Sequence, residues 1–297
     1  MGTPEFAVKS LEILVENGHE VVGVITAPDK PQGRGKRITP SPVKQYALEA
    51  GLTIWQPPNL KNQEFLDSLK ALEADLQVVV AFRMLPRAVW EMPPLGTLNL
   101  HASLLPDYRG AAPINWAIIN GEKETGISTF FLKHEIDTGE IIFQEKEEIA
   151  PDETAGSLHD KLMVKGARLI LKTVIAIQSG DYPRTPQKEM ESLSLAPKIF
   201  RDDCLINWNQ SAEKVRNHIR GLSPYPAAWT KWNDKVLKVF EARIRDKEPD
   251  YAIGHFYTDG KSFIRVNTLD YALELMDLQM EGKKRMPVEE LLRGIKV

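Results

Sequence analysis

Three side chains of this 297-residue chain have the chemistry to carry an acyl transfer. Asn99 and His101 stand two apart in the stretch NLHASLLP, and Asp137 sits in IDTG. Residues two apart on a strand point to one face, so a strand over 97–101 would present the amide and the imidazole together. An amide offers N–H donors, and an imidazole donates or exchanges a proton near neutral pH. A nearby carboxylate orients the ring and favours its charged form. Such a set can meet negative charge forming on a carbonyl oxygen while moving protons for an attacking amine. By residue type and spacing alone, His101 fits a structural place at a strand end as well as a catalytic one.

Ligands of open α/β sheets bind at the C-terminal ends of strands, so the elements before this stretch matter. Glu20–Thr26, Gln77–Phe82 and Thr97–His101 are short apolar runs suited to a buried parallel sheet. Helical segments fall between them. Ser41 can cap a helix with Pro42 at its first position. Asn62 opens NQEFLDSLKALEA, with Phe65, Leu66, Leu69 and Leu72 on one stripe. The alternation predicts an α/β fold with a mostly parallel sheet. Thr3-Pro4 starts a helix to about Asn17, and Gly2 reads as the turn entering it. Such a turn follows a strand, so the first strand is expected to be missing and its neighbours to expose apolar surface. Further on, Thr125–Leu132 and Glu140–Ile149 read as strands around KHEIDTG, followed by a long helix from Thr154 to about Gln178.

A catalytic domain is expected over 1–180, a Pro-rich polar linker over 181–200 and a second domain over 201–297. In the last, a helix around Ser211–Gly221 precedes strand-like pieces at Thr230–Trp232, Val236–Ile244, Phe263–Asn267 and Leu273–Leu278, which predict a small β-barrel.

Composition removes several function classes. With 42% apolar and 27% charged residues, the chain has the make-up of a folded soluble protein. No apolar stretch approaches the roughly 20 residues that cross a bilayer, and MGTPE lacks the regions of a signal peptide. A cytoplasmic protein without a membrane partner is expected. The single cysteine, Cys204, can form no internal disulfide, and the histidines make no ligand motif, so no metal is expected. No G-x-G-x-x-G fingerprint is present. The net charge is −3 overall but +3 from Lys198 onward, a weak pointer to a polyanion. Thr26–Gln45 carries five basic residues against Asp29, with Gly33 and Gly35 around Arg34. It could reach RNA phosphates or an unpaired acceptor end, or be a solvated surface loop. Lys283-Lys284-Arg285 and the helix bearing Arg216 and Arg220 are also positive.

NLHASLLPDYRGAAPINWAI, with the later IDTGEII, resembles the catalytic region of the 10-formyltetrahydrofolate-dependent formyltransferases. MGTPEFAV, PDKPQGRGKRITPSPVK and LQMEGKKRMPVEELLRG extend the likeness over nearly the whole chain, toward the members acting on methionyl initiator tRNA. The resemblance implies a Rossmann-like catalytic domain, a C-terminal domain like an oligonucleotide-binding (OB) barrel, and a monomer. It implies catalytic roles for Asn99, His101 and Asp137, and transfer from 10-formyltetrahydrofolate to the α-amino group of methionine on initiator tRNA. Ser103, Leu104, Leu105 and Pro106, with Arg83, Met84 and Leu85, would line the folate pocket. Arg34, Lys36, Arg37, Lys283, Lys284 and Arg285 would contact tRNA. The chain departs from the pattern at Phe82-Arg83-Met84-Leu85-Pro86, where many members carry a Tyr-Gly pair. Relatives acting on amino-sugar nucleotides or on water share the three residues, and GRGKR in its Pro-rich frame favours the tRNA branch. A non-catalytic RNA-binding protein would leave the three unexplained.

Overall fold

The structure, a computed structural model, describes residues 1–32, 37–188 and 192–294. In chain order its elements are α1 (Glu5–Glu16), β1 (Val24–Ile25), β2 (Lys30–Gln32), β3 (Arg37–Thr39), α2 (Pro42–Glu49), β4 (Ile54–Trp55), α3 (Gln63–Lys70), β5 (Gln77–Val80), α4 (Arg87–Trp90), β6 (Thr97–His101) and β7 (Arg109–Gly110). There follow α5 (Pro113–Ile119), β8 (Glu124–Phe131), β9 (Ile141–Glu148), α6 (Ala155–Ser179), β10 (Leu195–Ala196), α7 (Ala212–Gly221) and β11 (Ala228–Trp232). The last are β12 (Lys235–Arg245), β13 (Phe256–Thr258), β14 (Ile264–Asn267), β15 (Ala272–Met280), β16 (Met286–Pro287) and α8 (Val288–Arg293).

Contacts divide the chain into two compact units. The first comprises Met1–Arg109, Gly126–Glu147 and His159–Ser194; the second comprises Gly110–Thr125, Glu148–Leu158 and Leu195–Val297. Helix starts in the first unit follow local chemistry. Ser41 Oγ accepts the Lys44 N–H at 3.1 Å, and Asn62 Oδ1 accepts that of Glu64 at 2.8 Å. Each satisfies a donor the first helical turn leaves without a partner. α3 then buries Phe65 and Leu69 against Ile25, Val79 and Val89.

The central sheet has the order β5-β6-β8-β9. β5 and β6 are parallel, with Val79 opposite Asn99, whereas β6 and β8 are antiparallel, with His101 opposite Ser128. The parallel part therefore carries an antiparallel edge, a common arrangement in α/β sheets. α6 lies close against β6: a Cβ on Gly166 would stand 2.7 Å from Leu100 Cδ2. A larger residue there would have to move the Leu100 side chain on the strand carrying Asn99 and His101.

Of the run Glu20–Thr26 expected as a strand, only Val24–Ile25 is one, paired in parallel with Ile54–Trp55. The reason lies beside it. Gly2 N donates to Ile25 O at 3.1 Å and Val80 N to Met1 O at 2.9 Å, so Met1–Gly2 bridges β1 and β5 for one step. Behind that step is a cavity of about 660 Å³, lined among others by Val22, Val24, Leu76, Val78 and Leu14. Residues 20–23 have no strand to pair with there, and a run of extended backbone without a ladder is not a β-strand. The Met1 amino nitrogen donates to Val78 O at 2.5 Å. Its enclosure lowers that ammonium's pKa from 8.0 to about 5.

The second unit is built on one antiparallel path, β11-β12-β15-β14-β13, with β16 on β15. A register shift between Val239 and Glu241 marks a bulge in β12, which curls the sheet. Its concave face buries Leu237, Val239, Ile264, Leu273 and Leu275 with Val215 and Ile219 of α7. Trp208 and Trp232 flank Phe256 at 5.9 Å and 6.0 Å between ring centres and belong to this core. β13, β16 and α8 are too short for a periodicity to show in sequence. No helix among the described residues is long and apolar enough to cross a membrane.

Candidate active site

β6 runs over Thr97–His101, the span expected from sequence, and alternates as a strand must. Leu98 and Leu100 are buried on one face, which leaves Asn99 and His101 together on the other. Asn99 is half-buried, and no protein group engages its carboxamide among the described residues. Its N–H donors are available at the strand's C-terminal end.

The structure brings Asp137 to the same place. Its Oδ2 lies 3.8 Å from His101 Nδ1, with the two side chains 11% and 7% exposed. That separation is an ion-pair distance and too long for a hydrogen bond. The other ring nitrogen, Nε2, lies 2.8 Å from the carbonyl oxygen of Tyr108. A carbonyl only accepts, so Nε2 carries a proton in both charge states of the ring. The exchangeable proton is therefore the one on Nδ1, facing the carboxylate. Sequence reasoning missed Tyr108, because the contact is made by a main-chain oxygen and no side-chain type signals it. Tyr108 takes the left-handed backbone, with φ 58°, which turns that carbonyl inward.

Asp137 also sits in the left-handed region, φ 56°, in a loop whose residues 133–136 are exposed. Gly139 lets the loop close on the sheet: a Cβ there would fall 1.5 Å from the Phe131 carbonyl oxygen. A second residue missed in sequence is Gln187. Its carboxamide reaches the carbonyls of Asp137 and Gly139 and the guanidinium of Arg109. Residues 181–188 cluster with the first unit.

Ser103, Leu105 and Pro106 follow β6 in a segment held from within. Ser103 Oγ donates to Asp107 O at 2.6 Å, and Ser128 Oγ donates to Ser103 O at 2.6 Å. Leu105 N donates to Ser128 Oγ at 3.1 Å, and Gln144 Nε2 donates to Leu105 O at 3.0 Å. The side chain of Leu105 packs with Phe130 and Ile141. Leu104 is half-buried against Gly126. Past β5, Arg83 is turned away to the carbonyls of Pro57 and Pro58, Met84 is 75% exposed and Leu85 is in the core. The Arg83 side chain is thus spent on backbone.

Arg34 and Lys36 lie outside the described residues; Arg37 opens β3, opposite Gln32. β2 and β3 form a hairpin within the basic segment. In the second unit Lys283 Nζ donates to Gly294 O at 2.9 Å. Arg285 pairs with Asp277 and lies over the Phe240 ring, and Lys284 is exposed. Cys204 is buried, and burial pushes its thiol pKa up, away from the nucleophilic thiolate. Among the described residues no three His, Cys, Asp or Glu side chains gather as a metal-ligand group.

Comparison with known proteins identifies the family. Residues 1–174 match the family model described as formyl transferase, and residues 198–296 match that described as formyl transferase, C-terminal domain. The methionyl-tRNA formyltransferase of Bacteroides fragilis is 56% identical over 302 residues, covering 99% of this chain and 93% of that protein. That of Flavobacterium johnsoniae is 51% identical over 299 residues, covering 99% and 95%. Among solved structures, WlaRD, a sugar 3N-formyl transferase, superposes with a TM-score of 0.68 at 20% identity, covering 95% of this chain and 97% of its own. HypX of Aquifex aeolicus, crystallised with tetrahydrofolic acid, has a TM-score of 0.64 at 19% identity, covering 97% of this chain and 44% of its own. At that identity these two speak for the fold alone.

Proposed function

The chain belongs to the formyl transferase family, and from that premise we infer how its residues perform the reaction. It transfers the formyl group of 10-formyltetrahydrofolate to the α-amino group of methionyl initiator tRNA. The observation that carries this is identity above 50% over nearly the whole length to relatives with that activity in their names.

Bound folate supplies a formyl group on nitrogen, activated toward an amine. The residues present suit that group: an unengaged carboxamide at the strand end, the open thioether of Met84, and a wall of backbone at 103–106. Asn99 donates an N–H toward the formyl oxygen, where negative charge develops as the amine attacks. His101, held through Nε2 by the Tyr108 carbonyl, keeps Nδ1–H to donate to the same oxygen and for proton exchange. Asp137 stabilises the ring when Nδ1 is protonated and helps pass the amine's proton to the folate nitrogen as the bond from that nitrogen to the formyl carbon breaks, so tetrahydrofolate leaves with an N–H. The separation of 3.8 Å leaves room for the carboxylate and the ring to close up around substrate. A free α-amino group has a pKa of about 7.7–8.0, so a large part of the remaining work is holding the neutral amine against the formyl carbon.

Residues 1–180 are the catalytic part, 181–200 the connector and 201–297 an OB-like domain that binds tRNA. Asn99, His101 and Asp137 meet without a second copy, so a monomer suffices for the reaction, and a cytoplasmic enzyme fits an acceptor used in translation initiation. The deciding assay offers 10-formyltetrahydrofolate with methionyl initiator tRNA or with amino-sugar nucleotides. Formyl transfer is expected to the tRNA alone, and transfer to the sugars alone would overturn the reading.

Arg34, Lys36 and Arg37 contact tRNA phosphates from the basic segment. Replacing all three by alanine is expected to weaken tRNA binding about tenfold or more at ~50 mM salt and flatten the salt slope by roughly 2–3. The KM for folate should stay unchanged. Unaltered tRNA affinity at both low and moderate salt would remove the segment from the interface.

A further inference from the structure

We propose that Gln187 is a positioning residue for formyl transfer: its carboxamide ties the loop bearing Asp137 to the chain segment that holds His101. The proposal rests on the reading of Asn99, His101 and Asp137 as the catalytic set.

Gln187 has two amide hydrogens and spends them on two carbonyls of one loop. Nε2 donates to Asp137 O at 2.8 Å and to Gly139 O at 2.8 Å, bracketing Thr138. Its Oε1 accepts from Arg109 Nε at 3.1 Å and from Arg109 Nη2 at 2.5 Å. A guanidinium only donates, so the oxygen of the carboxamide must face Arg109 and the NH2 must face the loop. Arg109 thereby sets the direction of the clamp. Arg109 also follows Tyr108, whose carbonyl holds His101 Nε2. One carboxamide thus links the support of the imidazole to the backbone of the carboxylate.

The rest of the segment is registered on the same loop. Thr185 exchanges both main-chain hydrogen bonds with Ile141, at 2.8 Å and 2.9 Å. Arg184 Nε donates to Glu140 Oε2 at 2.7 Å. With residues 184–185 fixed, Gln187 arrives at a set place. The loop needs such a fixture, since residues 133–136 are exposed and Asp137 holds a left-handed backbone that costs energy to maintain. Without it the carboxylate would sample positions farther from Nδ1.

The test uses the full chain with Gln187→Glu and Gln187→Leu, each alone and combined with Asp137→Asn. Gln187→Glu keeps the size and the acceptor for Arg109 but loses both donors to the loop. Gln187→Leu removes both ends of the clamp without adding charge. Both are expected to lower kcat roughly 10- to 100-fold, the scale of a catalytic group displaced by about 1 Å. KM for tRNA and for folate should change less than about threefold, since neither substrate is bound through this residue. In the Asp137→Asn background, either substitution should add less than about a further threefold loss, because both losses pass through one carboxylate. A slow Asp137→Asn with normal kcat in both Gln187 variants would overturn the proposal alone, as would losses that multiply. Normal kcat in Asp137→Asn would overturn the reading of the catalytic set and the proposal with it.

Discussion

Replacing His101 by glutamine is expected to lower kcat by about 10²–10³-fold while the protein stays folded. The size is that of losing one preorganised donor to developing negative charge, about 3–4 kcal/mol. Glutamine is the informative choice because His101 has two jobs. Nε2 supports a Tyr108 carbonyl that is buried with it, and a cavity there would remove that buried hydrogen bond at a cost of about 1–3 kcal/mol. A glutamine Nε2 lies near the position of the imidazole Nε2 and can keep that bond, whereas it offers nothing at the place of Nδ1. Alanine would mix the structural loss with the catalytic one. Steady-state kinetics at saturating substrates, beside thermal unfolding, separates the two. Turnover within about threefold of the parent would remove His101 from the chemistry. Asn99→Ala, whose carboxamide has no structural partner to abandon, should show a comparable loss with even less effect on stability.

Joining an extended apolar segment of about five residues ahead of Met1 is expected to raise Tm by on the order of 10 °C. The cavity of about 660 Å³ beside β1 and β5 is lined largely by apolar side chains, and Met1–Gly2 bridges the two strands at its edge. Two or three inward apolar side chains at roughly 1.5–3 kcal/mol each give several kcal/mol. For a protein of this size each kcal/mol moves Tm by about 2–4 °C or less. A Gly/Ser segment of equal length is the control, since it adds chain without apolar burial.

The same extension should change the pH dependence. In the 297-residue chain the Met1 ammonium has its pKa lowered by burial from 8.0 to about 5 on folding. Between those values the unfolded chain binds more protons, so stability present above pH 8 falls as the pH is lowered and the loss is complete below about 5. Met1 as a residue is half-buried although its amino nitrogen is enclosed, so the loss is at most about 4 kcal/mol, and roughly half that once solvent screening is counted. An amide in place of the ammonium abolishes the term. Both extensions should therefore lose this pH term, and equal Tm values for the apolar and Gly/Ser segments would mean that the cavity does not take a strand.

Much of the first unit was legible because its signals are local. Caps at Ser41 and Asn62, the period-two strand at 97–101 and the glycine-bearing loop at 137–139 each depend on neighbours in sequence. The strand around residues 20–26 shows the converse. Its composition favours extension, but only Val24–Ile25 pairs, because a strand exists through its partner's hydrogen bonds and the partner's place beside residues 20–23 is cavity. The change of β6–β8 to antiparallel had no signal either, since the pairing sense depends on how the chain returns rather than on residue types.

The site divides along the same line. Residue types and spacing offered an amide, an imidazole and a carboxylate as candidates, with the first two on one face, and the family resemblance gave them their catalytic roles. Which ring nitrogen faces the carboxylate was settled by a backbone oxygen at Tyr108, and the reach of Gln187 to the Asp137 loop by a chain segment some 50 residues away (|i−j| of 50). Main-chain acceptors are the same at every position, and a glutamine in a polar stretch looks like any other. Contacts of that kind become specific only when packing brings distant backbone and side chains to hydrogen-bonding distance, which is why folding, and not composition or period, chose them.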